Sequence, residues 1–233
     1  MKVSFSKANI NNKDLNKSLN IFSEKTIKAV SKKAEIKPAE FWEELTVLGI
    51  NFEKKDKKGV LNNACKMLAE KVVSLGDNNL AGIIYSFLIK FNEGNVKLVE
   101  DFATNALAIA KRQHDPVHIM ARANDLKEIY KVTAPASDKY LNVLYTEKRA
   151  LNDIVKNYNN VQKRHNTVAR KMKPVEVYEV KLASVKYDIG KFLAEKDPSL
   201  ARQELTESMA IYEKYGVGPV YENAKNLLEK LAK

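Results

Sequence analysis

Apolar residues recur along this chain at steps of three and four, the spacing that lines one face of an α-helix. After Asp14, residues Leu15, Leu19, Phe22, Ile27 and Val30 follow it with lysines between them. Pro38 suits the first turn of a second helix, in which Phe41, Trp42, Leu45 and Leu48 precede Gly49. Asn51 to Gly59 reads as a solvated loop, and a helix from Val60 to Leu75 stops at Gly76. From Asp77 the pattern is more regular. One helix runs through Leu80, Ile83, Ile84, Phe87, Leu88 and Phe91 to Gly94, and the next, from about Asn95 to Gln113, aligns Phe102, Ala103, Ala106, Leu107 and Ala110. Asp115-Pro116 supplies an N-cap with proline at the first helical position, Ile119, Ala123, Leu126, Ile129 and Tyr130 form the inner stripe of that helix, which ends before Pro135, and Ser137 caps another start.

Between Ser137 and Lys173 there is neither glycine nor proline. The apolar steps there allow one helix of about 36 residues, roughly 54 Å long. A break at Asn157, Asn159 and Asn160 is the competing reading, since asparagine is a poor helix former. Pro174, Asp197-Pro198 and Pro219 each open a further helix, and Gly216 closes the one before Pro219. No segment reads as a strand. The expected fold class is therefore all-α, built of antiparallel helix pairs. Residues 1–12 are expected to form a flexible arm, 13–76 a lysine-rich helical region, and 77–233 a more regular helical body.

Within that body, Ile189-Gly190 followed by Leu193, then Ala201 and Leu205, resembles a tetratricopeptide repeat, whose pattern is W-x2-L-G-x2-Y and then A-x3-F. Gly190 and Ala201 are small enough to let two helices approach closely. Ala103, Ala106 and Leu107 look like the second helix of such a repeat, and Ala123, Leu126 and Tyr130 like a first helix. The chain departs from the pattern at Lys186, where the family places its large aromatic, and at Glu213, where proline is expected. The small-residue markers Ala106 and Ala150 are 44 apart rather than 34, so the period is irregular. The resemblance implies a curved stack of helix pairs with a groove for a protein or peptide, closed by a polar capping helix from Pro219. An irregular helical bundle is the alternative.

Composition changes this picture little. Eight Gly and 6 Pro are few for a protein built on hairpins and tight turns. One cysteine, Cys65, cannot form an intrachain disulfide, and its place in an apolar stripe reads as a small buried hydrophobe. No secretory signal and no run of about 18 apolar residues occurs, so the expected location is the cytoplasm and no membrane partner is expected. The net charge of +11 is the one anomaly. Lysine-rich composition, with only 6 Arg, weakens it as a sign of phosphate binding. It is also local: residues 1–76 carry 15 basic and 9 acidic side chains, and residues 161–173 carry 5 basic and no acidic ones, while 77–160 and 174–233 nearly balance.

Candidate chemistry is sparse. His114 and His118 flank Asp115 at a spacing that could hold zinc on one helix, but Asp115-Pro116 marks a helix start, so capping is the better reading and no metal or cofactor is expected. Glu43-Glu44 and Glu100-Asp101 are adjacent pairs whose side chains diverge by about 100° on a helix, which does not suit paired acid–base work. No phosphate-binding glycine loop or nucleophile elbow is present. The best interaction candidate is the basic face of 161–173, comprising Lys163, Arg164, Arg170, Lys171 and Lys173, with Val161, His165, Val168 and Met172 on the opposite stripe. Tyr130, Tyr158, Tyr178 and Tyr212 fall on inner stripes and read as core. The functional expectation is a non-enzymatic scaffold for a protein or peptide partner. A nucleic-acid-associated protein using 161–173 is the first alternative, and an enzyme whose site is invisible in sequence is the second.

Overall fold

The computed structural model describes residues 62, 66, 69, 70, 73, 78–92, 94–166, 172–216 and 218–231. The expected arm, the helices between Asp14 and Gly59, Cys65 and the Glu43-Glu44 pair lie outside the described residues. Those described form eight helices and no strand: α1 (Asn78–Phe91), α2 (Val96–Arg112), α3 (Pro116–Thr133), α4 (Asp138–Lys156), α5 (Tyr158–His165), α6 (Val175–Leu193), α7 (Pro198–Tyr215) and α8 (Gly218–Leu231). The fold is all-α. The chain divides into two compact units, Met1–Phe102 and Ala103–Lys233, with the boundary inside α2.

In the first unit, Ile84, Tyr85 and Leu88 of α1 and Phe102 of α2 are buried, the Tyr85 and Phe102 rings lying 6.4 Å apart. Asn62 and Asn92 are buried too, and each donates its side-chain amide to the other's oxygen, at 2.8 and 2.7 Å. That reciprocal bond satisfies amides whose burial would otherwise be costly. Asp101, set aside above as half of a divergent pair, instead meets Lys66 at 2.8 Å.

In the second unit, α3 packs on α4, α4 on α6, α6 on α7 and α7 on α8. The α6–α7 contacts fix the direction of that pair. Glu179 meets Lys214, Ser208 donates to the Ala183 carbonyl, and Gly190 lies against Ala201 and Leu205, so one number rises as the other falls and the helices are antiparallel. The expected caps form: Asp115 accepts from the backbone N–H groups of Val117 and His118, Ser137 from Tyr140, and Asp197 from Leu200. Gly216, at φ +65°, ends α7 in the left-handed conformation that glycine adopts without strain. In α8, Ala224 is buried and Glu222, Lys225, Glu229 and Lys230 are exposed.

Two expectations need correction. The span 137–173 is not one helix: α4 stops at Lys156, Asn157 takes φ −116° and ψ 26°, and α5 ends at His165. The break lets the short helix serve several neighbours. Tyr158 packs beside Tyr178 at 6.3 Å, Val161 is buried, and His165 reaches Asp115. The second correction concerns the inner stripe of α3, where Ile119 and Ile129 are only half-buried while Lys127 is buried with Met120, Ala123, Leu126 and Tyr130.

Lys127 belongs to a set of charges held between helices. Its ammonium lies 3.0 Å from Glu147 of α4. Lys186 of α6 lies 3.6 Å from Glu204 of α7 and is paired with Glu207, while Lys148 of α4 is paired with Glu204. Burial pushes the Glu147 carboxyl upward against the pull of Lys127, and pushes Asp188 upward against Lys127, Lys131 and Lys191. These ions are tied across helix interfaces rather than gathered in a cleft.

Candidate functional site

The chemistry-bearing residues that come together do so at the link between α2 and α3. The α2 chain closes with two backbone bonds, His114 N–H to the Lys111 carbonyl and Asp115 N–H to the Ala110 carbonyl. This is the Schellman pattern, whose turning residue adopts the left-handed conformation and is most often glycine. Here that residue is His114, at φ +49°, the only non-glycine with positive φ among the described residues. Asp115 finishes this turn and also caps α3, so two helices are joined through two residues beyond Gln113.

The Asp115 carboxylate does more than cap. Its Oδ2 lies 2.8 Å from His118 Nδ1, and its Oδ1 lies 3.1 Å from His165 Nε2 on α5. The two imidazoles stand edge to face, with centroids 5.5 Å apart. Burial pushes the Asp115 carboxyl upward, but hydrogen bonds from the His118 ring and backbone N–H, with the fields of both histidines, outweigh it and hold the group at about 2. His165 is held below its ordinary value. Burial is the main cause, and the fields of His118 and Arg164 reinforce it against Asp115. The cluster pins α5 to the start of α3. Each histidine turns one ring nitrogen toward this carboxylate, and no group of three metal-ligating side chains occurs among the described residues.

These shifts predict an acid-sensitive clamp. For a histidine whose folded value lies below its unfolded value of 6.5, the contribution is full above 6.5 and is lost as pH falls through the folded value. The Asp115 contribution is full above 3.8 and persists until pH falls through about 2. Glu147 and Asp188, held above their ordinary values, have the opposite sign and are lost as pH rises. A His165→Gln comparison isolates the histidine. Its melting temperature is expected to change less than that of the wild type between about pH 7 and pH 5. Parallel melting curves would disprove the clamp.

Beside the cluster lies a cleft of about 280 Å³. His114 and Arg164 line it with the apolar Pro116 and Val161, and its remaining wall is Asp153, Asn157 and Asn160. The expected basic face is therefore partly placed: Lys163 and Arg164 are exposed on α5, and Arg164 borders the cleft. Lys173 is exposed, and its carbonyl accepts from the Tyr158 hydroxyl at 2.7 Å. Arg170 and Lys171 lie outside the described residues. His118 is exposed, as expected of a surface histidine, but its ring contact with Asp115 and the role of His165 were not legible in the sequence. For His165 the nearest signal was its place on the apolar stripe with Val161, because a polar group on a buried face needs a partner.

No family model matches the chain, and no curated protein matches it. Among solved structures, the crystal structure of BtubC (BKLC) from P. vanneervenii is matched at 14% identity and a TM-score of 0.33, over 94% of this chain and 85% of that one. No helix among the described residues is long and apolar enough to cross a membrane.

Proposed function

We propose that the chain is a non-enzymatic, cytoplasmic scaffold that binds a protein or peptide through tetratricopeptide-like helix pairs. The observation that carries the reading is the close approach of α6 and α7. A Cβ built on Gly190 would lie 2.6 Å from Leu205 Cγ and 3.2 Å from the Ala201 carbonyl oxygen, a close approach that supports a tightly packed helix pair of the kind such a repeat would use. The antiparallel α6–α7 pair and the polar outer face of α8 agree with a capped stack. A chain whose buried ions are tied between helices is suited to holding a rigid surface rather than to moving protons.

Capture from nuclease-treated native lysate tests this. One protein partner is expected in stoichiometric amount, and its absence would count against the scaffold. The second reading, nucleic-acid binding, draws on the exposed Lys163, Arg164 and Lys173. It requires affinity for generic nucleic acid that falls steeply with salt, with a slope reduced when those side chains are neutralised.

A further inference from the structure

We propose that the cleft at the α2–α3 link receives an acidic segment of the partner protein, with Arg164 as the carboxylate-binding group. This rests on the scaffold reading and names the partner's chemistry. The first support is how the arginines are used. Arg122 pairs with Asp125 at 3.2 Å, Arg149 donates to the Tyr145 carbonyl, and Arg202 donates to the Leu231 carbonyl. Arg112 and Arg164 make no hydrogen bond or ion pair among the described residues, and both are exposed. Arg164 lines the cleft together with His114. A guanidinium fork matches a carboxylate in two parallel bonds, so an exposed fork on the cleft wall with no partner among the described residues suits an acidic side chain.

The second support is His114. Glycine would close α2 without strain, yet a histidine is held there at φ +49°. Such outliers cluster at functional sites, and His114 lines the same cleft as Arg164. Exposed Lys111, Lys156 and Lys163 add positive charge on the same three helix ends. The Asp153 carboxylate on the wall argues against a continuous phosphate track, which needs an uninterrupted basic groove.

The probe is a fluorescent oligo-glutamate peptide, measured by anisotropy at low salt beside a labelled oligo-dT of equal charge. The wild-type chain is expected to bind the peptide more tightly than the oligonucleotide. Arg164→Gln should weaken peptide binding about tenfold, and Asp153→Asn should tighten it by removing like charge. His114→Gly should weaken binding while raising the melting temperature by roughly 2 °C, because relief of the left-handed strain separates a binding loss from a folding loss. No peptide binding, an unchanged Arg164→Gln, or tighter binding to oligo-dT overturns the proposal. If lysate capture still recovers the same partner with wild type and Arg164→Gln alike, this cleft is wrong and the scaffold stands. If neither recovers one, both readings fall.

Discussion

Glu204→Ala is expected to destabilise the fold by about 3–5 kcal/mol, the usual cost of removing one partner from a buried ion pair. Glu204 is 2% exposed, and it faces Lys186, itself 5% exposed, as well as Lys148. Its Oε2 accepts no hydrogen bond, so the carboxylate is held by these cations rather than by backbone donors. Truncation would strand the Lys186 ammonium between α6 and α7, with only the half-exposed Glu207 as partner. Lys148 is freer and can turn toward solvent. The double substitution Lys186→Met with Glu204→Leu should recover most or all of the loss, because well-packed apolar residues often replace a buried pair at no cost. Urea denaturation of the three variants checks this. A loss below about 1 kcal/mol for Glu204→Ala would mean that Glu207 alone satisfies Lys186.

The same pair shows what the sequence could reveal. Lys186 among Leu182, Val185 and Ile189, and Glu204 between Ala201 and Ser208, are ionisable residues on otherwise apolar stripes. That pattern shows two buried charges needing partners, but not that they are each other's partners. Local features were legible wherever one turn of chain decides them. Asp115, Ser137 and Asp197 cap helices because their side chains reach the next turn, and Gly216 ends one because only a left-handed residue fits. The Asp115–His165 contact joins residues fifty positions apart, and no local rule specifies such a pairing. Asn157 lies between these cases. Its low helix propensity made a break possible, but the break occurs because Tyr158, Val161 and His165 have tertiary partners that a straight continuation of α4 would not reach.

The close approach of α6 and α7 leads to a second large effect. Gly190→Ala would ordinarily gain about 1 kcal/mol of helix propensity. Here the new Cβ would sit 2.6 Å from Leu205 Cγ, 2.9 Å from its Cδ2 and 3.2 Å from the Ala201 carbonyl oxygen. The first is a branch-point carbon and the last is backbone, so neither can move aside cheaply, and the helices must separate. Overpacking of this kind costs about 1–3 kcal/mol, so Gly190→Ala is expected to lose about 1–2 kcal/mol and Gly190→Leu 3 kcal/mol or more. Leu205→Ala alone should cost about 2–5 kcal/mol by leaving a cavity. Combined with Gly190→Ala it should cost less than the sum, because the new methyl enters the vacated space, and a double-mutant cycle measures that coupling. Gly82 supplies the control, since a Cβ there would meet nothing within 4 Å among the described residues. Gly82→Ala should therefore stabilise α1 by about 0.5–1 kcal/mol. Opposite signs for one substitution at two helical glycines would locate the constraint in the α6–α7 contact, whereas a stabilising Gly190→Ala would remove the close approach on which the helix-pair reading depends.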